Sequence, residues 1–166
     1  MATPEWTDAG TLLLPVDPAE WPPPARGIEL DRVHFAPKDE LHVTLVGRAL
    51  GESLRTAIAD GRVARADLDA AVTTQDWRLR RGGELLRLQK RGGDGALVGS
   101  IIERVALPSM AKLHARLGEL VGRELPAPPP HVTLYVAGRA EGIGVASEAE
   151  LRRLVVRKVA EEELRG

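Results

Sequence analysis

Most apolar positions of this chain fall into short runs that have the length of β-strands and are separated by turn-forming residues. Strands are predicted at 11–16 (TLLLPV), 30–35 (LDRVHF), 41–46 (LHVTLV), 97–105, 131–138 (HVTLYVAG) and 154–159. Gly82-Gly83 lies between two alternating runs and predicts the turn of a β-hairpin. Paired strands with short turns favour an antiparallel sheet over a parallel one.

Helical periodicity is clearest between residues 108 and 123, where Pro108 precedes the first turn and Gly122 lies near the end. The apolar stripe of this helix consists of Met110, Leu113, Leu117, Leu120 and Val121. Shorter helices are predicted after Gly51, at 66–71, and after Ser147, which forms a capping box with Glu150. The helices are thus fewer than the strands, which is typical of an α+β fold.

Two proline-rich segments, 20–27 and 125–130, are predicted to be stiff connectors without helix. The second leads directly into the strand that begins at His131. The two halves of the chain look alike in outline, since each has a strand, a helix and a strand that carries the word HVTL. We therefore expect a single α+β domain over residues 1–166, with two similar halves.

Composition narrows the classes of function. The 23 Lys and Arg nearly balance the 24 Asp and Glu, so the chain has no broad attraction for nucleic acid or anionic membranes. Cysteine is absent, which excludes a disulfide scaffold, a zinc finger and a thiolate nucleophile. The start MATPEWTDAG lacks the basic and apolar regions of a signal peptide, and no apolar stretch approaches ~20 residues. We expect a cytoplasmic monomer that does not associate with membranes.

The word HVTL occurs at residues 42–45 and again at residues 131–134, although the chain has only four histidines. If three positions after a histidine match by composition at roughly 7% each, the expectation over all histidine pairs is on the order of one in five hundred. Each copy taken alone is better interpreted as a structural feature of its strand, but the repetition indicates that the two copies share a role. Duplication without function remains the alternative.

On a strand, the histidine and threonine of HVTL share one face, and the valine and leucine share the other. Two such strands facing one cleft would present His42, Thr44, His131 and Thr133. Two imidazoles can act as general base and general acid in one turnover, and the hydroxyls can hold an anion. These parts suit displacement at the phosphorus of a phosphodiester. A metal site is the rival, but neither motif has a second ligand at metal-binding spacing.

Other candidate residues are weaker. By alternation Tyr135 shares the face of His131 and could contact substrate, while Phe35 is either a substrate contact or a core residue. We interpret His34 and His114 as structural. The basic run of Arg78, Arg80, Arg81, Arg87, Lys90 and Arg91 is either a solvated hairpin face or a rim that attracts phosphates. Gly142-Ile143-Gly144 is more typical of a turn than of a ligand loop.

The motifs and their surroundings resemble the 2H phosphoesterase superfamily, and within it the 2′-5′ RNA ligase and cyclic phosphodiesterase branch. Residues 35–41 (FAPKDEL) before His42 are similar to that branch's approach to its first histidine. An amphipathic helix, a proline-rich turn and Pro130 before His131 are similar to its approach to the second. The resemblance covers nearly the whole chain, but only the motifs and their approaches are specific.

The resemblance implies two pseudo-symmetric lobes of antiparallel sheet with outer helices, and a central cleft in which the motifs face each other. It implies His42 and His131 as the acid–base pair, Thr44 and Thr133 as phosphate-binding residues, and no cofactor or metal. The implied substrate is a small nucleotide or an RNA terminus with a 2′,3′-cyclic or 2′-5′ phosphate. A binding module without turnover is the alternative, followed by a structural relic of duplication.

Two departures from the family pattern bear on the substrate. Trp21 and three prolines stand where relatives have a long first helix, and Tyr135-Val136 follow the second motif where some relatives have a basic residue. Both favour a small nucleotide over a long RNA.

Overall fold

The computed structural model describes residues 2–165 and is an α+β structure built on one antiparallel sheet. The strands are β1 (Glu5–Trp6), β2 (Leu12–Pro15), β3 (Ile28–Leu30), β4 (Val33–Pro37), β5 (His42–Val46), β6 (Arg80–Arg91), β7 (Leu97–Ala106), β8 (His131–Ala137) and β9 (Val155–Val159). The helices are α1 (Arg48–Ala59), α2 (Arg65–Thr73), α3 (Ser109–Val121) and α4 (Glu148–Leu154), and a short 3-10 helix covers Glu161–Arg165.

The strand order of the sheet is β1-β2-β5-β8-β7-β6-β9. β4 pairs with β8 on the same edge as β5, and β3 pairs with the other edge of β4. Every strand pair is antiparallel, as the short turns predicted. The two HVTL strands, β5 and β8, are neighbours at the centre of this order. Strands from both halves of the chain therefore form one continuous sheet.

The two faces of the sheet carry different cores. Neighbouring residues in a strand alternate between them: Ile101 packs in the larger cluster and Ile102 in the smaller one. The larger cluster includes residues of α1, α2 and α3, which cover what we call the helix face. The smaller cluster includes Ile143, Val145 and Leu151, so the segment before α4 and α4 itself cover part of the opposite face.

The predicted strand at 30–35 is wrong, because the chain turns within it. Asp31 and Arg32 both have positive φ, of 51° and 65°, and join β3 to β4 as a two-residue hairpin turn. Such turns usually contain glycine or asparagine, since other side chains are strained in this conformation. Here Asp31 accepts hydrogen bonds from Arg87 of β6 and Arg157 of β9. Partners from distant strands thus hold a turn that the local sequence does not indicate.

The predicted hairpin turn at Gly82-Gly83 is also wrong, because β6 continues through both glycines. The register against β7 shifts between Arg81 and Leu85, which identifies the pair as a bulge, and Gly83 has a φ of 76°. A Cβ at position 82 would lie 2.4 Å from the Arg104 carbonyl oxygen. The hairpin instead turns between Arg91 and Leu97, where Gly95 has a φ of 83°.

The predicted helices are present, with small changes at their ends. The helix predicted at 108–123 is α3, and Gly122 ends it with a φ of 75°. Ser147 accepts a hydrogen bond from the Glu150 N–H and caps α4, as the sequence predicted. None of the helices in residues 2–165 combines the length and apolarity needed to cross a lipid bilayer.

The contact between α1 and the loop before β2 yields a stability prediction. A Cβ at position 51 would lie 1.8 Å from the Gly10 carbonyl oxygen, and backbone atoms cannot move away easily. Gly→Ala in a helix usually stabilises by about 1 kcal/mol, but here we expect Gly51→Ala to destabilise by about 1–3 kcal/mol. Urea unfolding measures this. Gly93→Ala, in an exposed turn and with open space around its Cβ, is the control and should change stability by less than ~0.5 kcal/mol.

Candidate active site

The two HVTL motifs come together because their strands pair directly. Val43 of β5 lies opposite Val132 of β8 in an antiparallel register. Extending that register by one residue in each direction places His42 opposite Thr133, and Thr44 opposite His131. The four polar side chains therefore form a two-by-two block on one face, with the histidines on a diagonal. We call these four residues the HVTL block.

Burial along both strands follows the predicted alternation. Val43 and Leu45 of β5, and Val132 and Leu134 of β8, are buried in the larger core on the helix face. The histidines and threonines of the HVTL block are half-buried on the opposite face. Burial of each valine or leucine stabilises the fold by roughly 1.5–3 kcal/mol, and this free energy determines which face of each strand points into the core. The core thereby orients the polar block.

His131 has a defined protonation geometry. Its Nδ1 lies 2.9 Å from the Pro129 carbonyl oxygen, which can only accept, so the neutral ring carries its proton on Nδ1. The Nε2 lone pair is then free to accept a proton. Burial is the main cause that lowers the pKa of His131; the hydrogen bond to Pro129 opposes it, and the charges of Arg104 and His42 add to it.

His42 has a different environment. Its side chain is 29% exposed, and Nδ1 lies 4.0 Å from the nearer Glu40 carboxylate oxygen, beyond hydrogen-bond distance. Among residues 2–165 this Nδ1 has no hydrogen-bond partner. Burial lowers the pKa of His42 most, the charge of Lys38 lowers it further, and the charge of Glu40 raises it. The two histidines are therefore chemically unequal, although the two HVTL motifs are identical.

The loop after β8 packs directly on Thr133. A Cβ at position 142 would lie 2.9 Å from Thr133 Oγ1 and 3.2 Å from its Cγ2, so only glycine fits without displacement. Lys38 Nζ donates to the Ala140 carbonyl oxygen at 3.1 Å and ties this loop to the approach to His42. The segment around Gly142 is thus part of the site, although its pattern suggested only a turn.

Arg104 is a site residue that sequence reasoning missed. It lies directly opposite His131 in the β7–β8 pairing, so it shares the face of the HVTL block. Its guanidinium forms an ion pair with Glu148 of α4. In the sequence, Arg104 stands out only as a charged residue in the apolar run IIERV. Its position beside His131 depends on the register between β7 and β8.

Tyr135 and Phe35 do not belong to the site, so the substrate contact proposed for Tyr135 is wrong, and of the two interpretations of Phe35 the core residue is correct. The register against β7 shifts after Thr133, so that Tyr135 pairs with Ile101 and packs with it in the larger core, 5% exposed. The extra residue is Leu134, whose carbonyl oxygen accepts from the Lys38 N–H. Phe35 is fully buried in the same core. The orientation predicted for Tyr135 assumed strict alternation along the strand, which a bulge in β8 interrupts.

The other two histidines lie outside the site. His34 is largely exposed and contacts Glu29 at 2.7 Å. His114 of α3 is buried on the helix face, and its Nε2 lies 2.7 Å from the Leu45 carbonyl oxygen, to which it donates when neutral. Burial lowers the pKa of His114. Both fit the structural role that we predicted for them.

Two arginines of the basic run, Arg81 and Arg87, lie away from the HVTL block. Arg81 forms a bidentate pair with buried Glu103 and stacks on Trp21, with 4.1 Å from its guanidinium carbon to the ring centroid. Arg87 is 8% exposed and pairs with Asp31 at 2.6 Å. These two arginines hold loops to the helix face, so neither the solvated-face nor the phosphate-rim interpretation describes them.

The side chains of the HVTL block are partly exposed on their face of the sheet. A cavity of about 480 Å³ lies between α1 and the end of α3, on the opposite face. Another cavity, of about 300 Å³, borders Arg104. In the described part of the chain, no group of three or more His, Asp or Glu side chains is arranged to hold a metal ion.

This arrangement can support proton transfer and anion binding. Two imidazoles near each other can take a proton from one oxygen and give one to another. Two threonine hydroxyls beside them can donate hydrogen bonds to an anion between the strands. Comparison with protein-family models, curated proteins and solved structures gave no match for this chain.

The buried histidines yield a prediction on pH and stability. His131 and His114 have lowered pKa values in the folded state, whereas an unfolded histidine titrates near about 6.5. Below that pH the unfolded chain binds more protons, so the free energy of unfolding should fall as pH drops from about 7.5 to 5.5. Urea titrations at both pH values test this. The fall should be smaller in His114→Gln, and equal falls would contradict the assignment.

Proposed function

We propose that this protein is a metal-independent phosphoesterase that acts on a 2′,3′-cyclic or related cyclic nucleotide phosphate, or on a 2′-5′ phosphodiester. The observation that carries the proposal is the direct pairing of the HVTL strands, which gathers two histidines and two threonines on one face. The resemblance of the motifs to the 2H phosphoesterases supports the same chemistry. Catalysis would need neither a cofactor nor a metal.

His131 is the proposed general base in hydrolysis. A water oxygen attacks the phosphorus while Nε2 of His131 takes its proton, and the Nδ1–H bond to Pro129 keeps that lone pair aimed outward. A lowered pKa keeps the imidazole neutral near pH 7, which is the form that a base needs. The developing imidazolium is stabilised by the Pro129 carbonyl oxygen.

His42 is the proposed general acid. As the P–O bond to the ribose oxygen breaks, His42 gives its proton to that leaving oxygen. The Glu40 carboxylate favours the protonated form of His42, and a bound phosphate anion would favour it further. Thr44 and Thr133 would bind the non-bridging phosphate oxygens, because each lies beside the histidine of the other strand.

We also propose the two-lobed arrangement of that superfamily for this fold. One half would comprise β1, β2 and β5, and the other β6 to β9, with the HVTL strands as the inner edges. The local antiparallel pairing of Val43 with Val132 is consistent with two similar halves. The partial exposure of the block is compatible with a small nucleotide or an RNA terminus as substrate.

A second candidate function is a nucleotide or RNA-end binding module without useful turnover. The observation that favours it is the lowered pKa of both histidines, which disfavours the protonated acid in the unliganded protein. The two candidates differ in one result, since the module would bind a nucleoside 2′-phosphate but release no product from a cyclic one.

Turnover is tested by incubating the full chain with 2′,3′-cyclic mononucleotides, 2′-5′ dinucleotides and ADP-ribose cyclic phosphate in the presence of EDTA. Phosphorus NMR identifies the products. We expect EDTA-resistant product formation, and a fall in kcat of about a hundredfold or more in both His42→Ala and His131→Ala. His34→Ala is the matched control, because His34 is exposed and outside the block.

Product formation that survives both substitutions would refute the proposal. Shifted histidine resonances on adding nucleotide, without any product, would favour the binding module instead.

The position of Thr133 gives an independent test. Gly142→Ala should push the added methyl group against Thr133 and lower kcat by about tenfold or more, since small displacements in a catalytic site are costly. Gly144→Ala lies two residues further along the same loop, with open space around its Cβ, and should retain wild-type kcat. Equal rates in the two variants would show that Thr133 needs no fixed position.

A further inference from the structure

A charged depression of about 300 Å³ borders Arg104, the cross-strand neighbour of His131 on β7. Leu86 of β6, Leu151 of α4 and Val155 of β9 give it an apolar lining, and Arg104 and Glu148 are among its charged residues. Leu86 and Leu151 are buried in the smaller core, so this part of the depression is fixed by packing. Its volume suits part of a small ligand.

Arg104 stands between this depression and the histidine pair. Its Cα is the cross-strand partner of the His131 Cα, and its guanidinium pairs with Glu148. The arginine side chain is 34% exposed and the glutamate side chain 48% exposed. Ion pairs at such exposure contribute little free energy, so a phosphate could replace Glu148 as the partner of Arg104.

The other side of the block offers nothing comparable. There β2 pairs with β5 and places Pro15 opposite His42, and Leu13 opposite Thr44. Neither side chain can donate a hydrogen bond or carry a charge. Among the direct cross-strand neighbours of the block on β2 and β7, Arg104 is therefore the one that carries a positive charge.

We propose that a ligand whose phosphate occupies the HVTL block extends over Arg104 into this depression, with the Arg104 guanidinium leaving Glu148 to bind the phosphate. The inference rests on the proposed function, because it takes the block as the phosphate site. In this arrangement the depression holds the nucleoside, Arg104 binds the phosphate, and Glu148 competes with the ligand for Arg104.

Calorimetric titration of the full chain with adenosine 2′-monophosphate tests the role of Arg104. We expect Arg104→Gln to weaken binding about tenfold or more, because a charge-assisted hydrogen bond is lost. Glu148→Gln should strengthen binding about twofold to fivefold, because the competitor is removed. In the Arg104→Gln background, Glu148→Gln should then have no further effect. Arg116→Gln, which breaks an exposed ion pair on α3, is the charge-matched control.

Methyl resonances test the direction in which the ligand extends. Adenosine 2′-monophosphate should shift the methyl signals of Val155 and Leu151, whereas inorganic phosphate should leave those two signals unchanged while it shifts the signals of His42 and His131. Shifts at Leu13 instead would place the nucleoside on the β2 side and overturn the inference.

The remaining outcomes separate this inference from the proposed function. If neither ligand binds the wild-type chain, both fail. If the ligands bind and shift both histidines, but Arg104→Gln behaves like Arg116→Gln, the phosphate site stands and the inference fails.

Discussion

The antiparallel contact between Val43 and Val132 is the constraint on which the candidate site depends. It brings two distant segments side by side in one register, and the two-residue period of the strands then dictates where each histidine and threonine points. A shift of one residue in one strand would turn its polar pair toward the helix face. The buried valines and leucines of the motifs therefore decide the chemistry of their polar neighbours.

Electrostatics makes the two halves of the block unequal. His131 donates to a backbone carbonyl and faces Arg104, whereas His42 lies near Lys38 and Glu40. An exact duplication of four residues thus produces two imidazoles with different partners. The difference arises from residues outside the repeated motif, and the different roles proposed for the two histidines rest on it.

Local pattern predicted most of the strands, the main helices, and that the histidine and threonine of each HVTL motif share one face of their strand, because these depend on periodicity alone. It failed where tertiary contacts override it. The bulge at Leu134 reverses Tyr135, and the Asp31-Arg32 turn is held by arginines from β6 and β9. Arg104 could not be found for the same reason: its place beside His131 exists only once β7 and β8 are in register.

The sequence separation of β5 and β8 also has a consequence for folding. Their contact closes a loop that contains α1, α2, α3 and the β6–β7 hairpin, so it is a strongly non-local contact. β7 must lie against β8 before Arg104 meets His131. A partly folded chain can thus hold one HVTL strand but not the pair. The four residues of the block therefore come together only after this non-local contact has closed.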